Sequence, residues 1–190
     1  MNDLTAIASL IAVLIVFALG VSLLVFQGLT GVPPMSSSSS EAADVISLLK
    51  QAGLAEQAIV YELGFGWGSL VIALARAFPE ARIRGIEMSP LPYWVARFRT
   101  RKMANVLVQR GDFFKFDLRD AQAVTCYLMI KPMPRLADFL DRMLESGTPV
   151  VSLTFWFRER QVAATRDGPG LRGAAALYYW PARSSQNGGG

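Results

Sequence analysis

From Leu4 to Val32 the chain carries no charged residue and is dominated by Leu, Ile, Val, Ala and Phe. Such a run exceeds the roughly 20 residues a helix needs to cross about 30 Å of hydrocarbon. A cleaved signal peptide would begin with basic residues and hold an apolar core of about 7–15 residues. Here only Asp3 precedes the run, which is much longer. The pattern predicts a retained transmembrane anchor over 1–32. Gly31, Pro33, Pro34 and the serines at 36–40 then read as a flexible linker over 33–40. From Glu41 onward, apolar positions alternate between helical and extended periods. Helices are predicted over 42–52, 68–78, 90–102 and 135–144, the first turning Val45, Leu48 and Leu49 inward and the last Leu136, Phe139, Leu140 and Met143. Strands are predicted over 58–63, 81–87, 105–109, 124–130, 149–157 and 175–180. The alternation implies an α/β domain over 41–183, with a mainly parallel sheet covered by helices on both faces. The polar, glycine-rich tail over 184–190 is expected to be disordered.

Charge and composition narrow the chemistry. All 19 Lys and Arg lie at or beyond Lys50, and of the 15 Asp and Glu only Asp3 precedes Ser40. The net positive charge of the folded part is modest and too diffuse to argue for a nucleic-acid partner, though it suits an anionic membrane leaflet. Cys126 is the only cysteine and histidine is absent. Disulfide frameworks, thiolate or imidazole metal sites and histidine bases are therefore excluded, and no metal is expected. Arg97, Arg99, Arg101 and Lys102 form the densest basic cluster. A solvated helix face is the plainer account of it, and contact with anionic lipid headgroups is the functional one.

The stretch Val60-Tyr-Glu-Leu-Gly-Phe-Gly-Trp-Gly68 carries the most chemistry. A strand, a glycine turn and a helix start place backbone close to any ligand bound there. The dinucleotide fingerprint would need glycine at 69, where Ser69 stands. The arrangement is instead acidic-x-G-x-G-x-G, formed by Glu62, Gly64, Gly66 and Gly68. Glu87 closes the second strand about 20 residues later, where a carboxylate can accept hydrogen bonds from ribose hydroxyls. Alone it supports a nucleoside without choosing among cofactors. Asp112 follows the third strand in Gly111-Asp-Phe-Phe114 and, taken singly, reads as a turn residue.

The glycine motif resembles motif I of the class I methyltransferases, which bind S-adenosylmethionine (SAM) on a Rossmann-like sheet. The resemblance implies that the glycine turn passes beside the amino-acid and ribose portion of SAM, with Glu62 near the methionyl amino group. It implies further that Asp112 receives the adenine amino group and that an apolar neighbour, Phe113, packs on the ring. Gly85-Ile-Glu-Met-Ser-Pro-Leu91, the arginine-rich segment to Arg101, Tyr127-Leu-Met-Ile-Lys-Pro-Met133 and Leu177-Tyr-Tyr-Trp180 sharpen it. Over residues 55–181 they resemble the small membrane-anchored protein-lysine methyltransferases related to the ATP synthase c-subunit lysine methyltransferase. Trp67, Ser89 and Lys131 depart from the usual pattern, and Trp67 could narrow or cover the cofactor pocket.

These features lead to the expectation of a single-pass membrane enzyme with its catalytic domain in the cytoplasm, where SAM is made. Its expected partner is a protein substrate methylated on lysine. Tyr127, Met129 and Met133 are candidate lining of the substrate mouth, with ordinary packing an equal alternative; no general base is assigned. A small-molecule or lipid methyltransferase and a non-catalytic SAM-binding membrane module are the alternatives.

Overall fold

The computed structural model describes residues 2–30, 37–166 and 173–181; within the first helix it describes the side chains of 4–18, 20 and 21. The tail over 184–190 and residues 33–36 of the expected linker lie outside the described residues. In chain order the elements are α1 (Asn2–Thr30), α2 (Ser39–Gln51), β1 (Ile59–Leu63), α3 (Ser69–Ala77), β2 (Arg82–Glu87), α4 (Pro90–Thr100), β3 (Val106–Arg110), β4 (Ala123–Cys126), α5 (Met133–Met143), β5 (Pro149–Leu153), β6 (Ala164–Arg166) and β7 (Ala175–Tyr179).

The strands form one sheet in the order β3-β2-β1-β4-β5-β7-β6. β1 to β5 pair in parallel, while β7 runs antiparallel to both β5 and β6. Because side chains on a strand alternate, each strand feeds two cores. Val60, Ile83, Ala123, Val151 and Leu177 point to the face covered by α2, α3 and α4. Tyr61, Leu63, Val124, Val150 and Tyr178 point to the other, where α5 supplies Leu136, Phe139 and Leu140. That second face is closed by loop side chains as well, among them Leu118, Phe157 and Trp180. The Rossmann-like architecture with helices on both faces stands as expected.

Several boundaries differ from the sequence expectation, each for a local reason. β4 stops at Cys126 rather than at 130, because its register partner in β1 is Leu63, where that strand enters the glycine turn. β5 stops at Leu153, paired with the first residue of β7, and Thr154 then turns the chain at a φ of 70°. α5 begins two residues earlier than expected, with proline in its first turn, where a missing amide hydrogen is harmless. β6 has three residues and too short a pattern to read in sequence; pairing with β7 creates it. α2 starts within the expected linker, because Ser38 and Glu41 form a reciprocal capping box.

The transmembrane expectation lacks structural support. Among the described residues, no helix is long and apolar enough to cross a membrane. α1 is helical over 29 residues, but its described side chains end at position 21, short of the roughly 20-residue apolar span required. Those side chains are all exposed, and α1 touches the domain through α4.

At the opposite end of the sheet from the glycine turn, Asn105 precedes β3 and donates its side-chain amide to the carbonyls of Ala75 and Phe78, 3.0 and 3.3 Å away. It thereby satisfies carbonyls that the end of α3 leaves without helical partners. Asn105→Ala is expected to destabilise the fold by about 1–3 kcal/mol, measured by urea unfolding, while leaving SAM affinity unchanged.

Candidate functional site

The turn after β1 exists because its glycines take backbone angles closed to other residues. Gly64, Gly66 and Gly68 have φ of 71°, 54° and 80°. Space restricts two of them as well. A Cβ on Gly64 would lie 2.6 Å from Leu128 Cδ2, and one on Gly68 would lie 2.8 Å from Ala96 Cβ. The backbone of β1 thus approaches the β4 loop on one side and α4 on the other. Gly68 caps α3, and Phe65 is buried between the turn and Gly85. Trp67 is half-buried, and its carbonyl accepts a hydrogen bond from Arg99 Nη1 at 2.6 Å.

Glu87, at the end of β2, is tied to this turn. Its Oε2 accepts the Gly66 amide at 2.9 Å and its Oε1 the Ser89 amide at 2.7 Å. Its own carbonyl accepts the Gly111 amide at 2.9 Å. One residue therefore joins the glycine turn, the start of α4 and the exit from β3. Each carboxylate oxygen keeps a second lone-pair direction for a ligand hydroxyl. Asp112 has the turn role that the residue suggests in isolation: its Oδ1 accepts the Phe114 amide at 3.1 Å. Its other oxygen is the one left to the adenine role. Phe113 packs against Phe114 with ring centroids 4.4 Å apart, beside the α5-side core.

Glu62 is buried in the middle of the sheet, paired with Gly85 on β2 and Thr125 on β4. The Thr125 hydroxyl donates to its carboxyl, and burial pushes its pKa up to about 8 against the weaker opposing effect of that hydrogen bond. A carboxyl held in this way is suited to receive a cation, which would restore its charged form. Thr125 is the residue that motif reading missed. Its signal was a lone hydroxyl in the buried run Ala123 to Cys126, but the β1–β4 register was needed to give it meaning. Cys126 beside it has its thiol raised to about 12 by burial, which leaves it inert at neutral pH.

The candidate mouth residues separate. Tyr127 packs on the core shared with α2 and α3, whereas Met133 is buried in the α5-side core. Met129 lies half-buried between them in sequence. Leu128, over Gly64, is the β4-loop side chain that meets the glycine turn. Met133 also lines an open groove of about 800 Å³ between α5 and the segment after β5, with Ile130, Lys131, Asp138, Trp156 and Glu159.

Glu62 yields a pH signature. Neutral Glu62 stabilises the ligand-free fold fully below its ordinary pKa of 4.5, and this stabilisation is lost as the pH rises through about 8. The melting temperature of ligand-free protein should fall across that window. Glu62→Gln should remove much of the fall, melting above the parent beyond pH 8 and close to it below 4.5 in scanning fluorimetry. Parallel pH profiles for the two proteins would dismiss the buried-acid account.

Comparison with known proteins agrees with this geometry. The sequence model of the ANTKMT methyltransferase domain matches residues 62–164, from Glu62 into β6. A protein-lysine N-methyltransferase of Saccharolobus islandicus (strain REY15A) is 29% identical over 127 residues, covering 64% of this chain and 79% of its own length. The adenine nucleotide translocase lysine N-methyltransferase of Mus musculus is 30% identical over 127 residues, covering 65% of this chain and 53% of its own length. The crystal structure of an RNA methyltransferase from Salinibacter ruber, in complex with S-adenosyl-L-homocysteine, superposes with a TM-score of 0.70 at 28% identity, covering 80% of this chain and 98% of that one. With the match running through the acid-flanked glycine turn and over more than half of the sequence, the chain belongs to the ANTKMT methyltransferase domain family and is a class I methyltransferase whose cofactor is S-adenosylmethionine.

Proposed function

We propose that this enzyme methylates a lysine side chain of a protein substrate, from a catalytic domain anchored by α1 on the cytoplasmic side of a membrane. The observation that carries the lysine reading is the family match, joined by two relatives that are both named as lysine N-methyltransferases. The fold does not choose the acceptor, since the RNA methyltransferase from Salinibacter ruber shares it. Anchoring is supported by the uncharged run Leu4–Val32 and by the exposure of every described α1 side chain from position 4.

The residues present fit the cofactor. The glycine turn leaves backbone without side chains at the end of β1, held in left-handed angles at Gly64, Gly66 and Gly68, and Glu62 is a buried carboxyl suited to an ammonium group. In this reading Glu62 receives the methionyl amino group, Glu87 the ribose hydroxyls and Asp112 the adenine amino group. When bound, SAM supplies a methyl group already activated on sulfonium. The chain then has to align the acceptor and strip it of water and a proton. A lysine begins from a pKa of about 10.4, and an apolar surface lowers it by desolvation. Half-buried Met129, and Met133 at the edge of the groove, offer that surface after β4. The groove beyond Met133 accommodates the peptide on either side of the lysine, with Asp138 and Glu159 as carboxylates on its wall.

Incubating the full chain with methyl-labelled SAM and separated membrane and soluble fractions tests the acceptor. Label is expected in a protein band that yields methyl-lysine on hydrolysis; label confined to lipid, RNA or small molecules would remove the lysine reading. Resistance of the full chain to carbonate extraction from membranes tests the anchor.

Two binding measurements probe the cofactor roles. Glu87→Ala should weaken SAM binding by about 10-fold or more, since it removes charge-assisted acceptors of about 1.5–3 kcal/mol each. SAM binding by the parent near pH 7 should release a proton from Glu62, giving a calorimetric heat that varies with buffer ionisation enthalpy. Glu62→Gln should abolish that dependence.

A further inference from the structure

The outer face of α4 remains unexplained by the cofactor site. Its inner face is spent on the fold: Pro92, Tyr93, Ala96 and Thr100 are buried, and Ala96 abuts Gly68. On the outside, Trp94 is 57% and Phe98 64% exposed, one helical turn apart. Each ring carries an arginine from the next turn. The Arg97 guanidinium lies 5.5 Å from the Trp94 ring centre and the Arg101 guanidinium 3.8 Å from that of Phe98. Arg97 is also held by the Tyr93 hydroxyl at 2.8 Å, and Arg101 by the Phe98 carbonyl at 2.6 Å. The stretch of chain that carries them has charge of one sign. Between Glu87 and Asp112 stand Arg97, Arg99, Arg101, Lys102 and Arg110, with no acidic residue.

We infer that this face of α4 is a docking surface for an anionic lipid bilayer. An exposed tryptophan belongs at a boundary where one end of the side chain is apolar and the other wet, and Phe98 beside it adds apolar area. The arginines on their flanks supply the charge that phosphate headgroups attract, each contributing near the surface. α1 adds a second pointer, since this apolar helix meets the domain at α4. A nucleic-acid strand fits less well, because each ring already carries a guanidinium over one of the faces on which bases would stack.

Docking here would have a consequence for the site. α4 is the helix whose Ala96 packs on Gly68 and whose Arg99 holds the Trp67 carbonyl. The bilayer would then lie one helix diameter, about 10 Å, from the cofactor turn. The surface does not require α1 to span the membrane; it shares with the proposed function only the premise that the enzyme works at one.

The test uses the full chain with phosphatidylcholine vesicles, with and without phosphatidylglycerol, carrying brominated acyl chains that quench tryptophan. Trp94 emission is isolated as the difference between the parent and Trp94→Phe. It is expected to be quenched in the anionic vesicles, with the quenching reversed by high salt. Arg97→Gln with Arg101→Gln should weaken the anionic-lipid-dependent quenching roughly 30-fold in lipid concentration, with an unchanged melting temperature showing that the fold is intact. Trp94 unquenched while the chain still floats with vesicles would mean that α1 alone binds, overturning the inference. Equal quenching in neutral and anionic vesicles would overturn its charge basis, and protection of Trp94 by RNA but not by vesicles would reassign the surface. Carbonate release of a chain whose Trp94 is quenched would sink the anchor and leave the docking surface standing.

Discussion

Glu87 stands at the end of β2 with each carboxylate oxygen taken by a different backbone amide, one from Gly66 and one from Ser89. Those two bonds link segments that are 23 residues apart. The glycine turn adopts left-handed angles open to glycine, and α4 starts at a serine with no side-chain cap bond of its own. A single acid therefore orders both the bottom of the cofactor crevice and the helix that walls it. Gly111, hydrogen-bonded to the Glu87 carbonyl, extends the arrangement to the third strand end. A ligand hydroxyl arriving at Glu87 meets acceptors already held in place, so little ordering remains to be done at binding.

Glu62 shows the opposite economy. It lies buried with a threonine hydroxyl as partner, and its raised pKa records the cost of keeping a carboxylate away from water. The same burial makes it selective, since a cation that reaches it recovers the suppressed charge in a poorly solvated setting. In the proposed role at the methionyl ammonium, Glu62 would couple fold stability to cofactor affinity, the two favouring opposite protonation states.

Much of this was legible in the chain. Alternating periods revealed the α/β domain, and the acid-flanked glycine turn with Glu87 resembled the SAM site of class I methyltransferases, a resemblance that implied the adenine role of Asp112. What escaped were features whose partners are distant. Thr125 meets Glu62 only through the β1–β4 register, and β6 is made by β7 rather than by its own three residues. Strand ends were overextended at β4 and β5 because apolar residues continue past the point where the neighbouring strand turns away. Tyr127 and Met133 looked like one lining in sequence, yet they pack on opposite faces of the sheet.

The amino-acid sequence by itself determined the class of fold, through hydrophobic period, and pointed to the class of ligand through the resemblance of its acid-flanked glycine turn to motif I. It also determined what the protein does without, having no histidine and a single cysteine. Only the tertiary structure decided how those parts act. It paired Glu62 with Thr125, closed the turn with Glu87, set Leu128 over Gly64, and left Trp94 and Phe98 outside with arginines on their rings. These outcomes depend on register and on which helix face is already used in packing. Both are set by long-range burial, to which no short stretch of sequence has access.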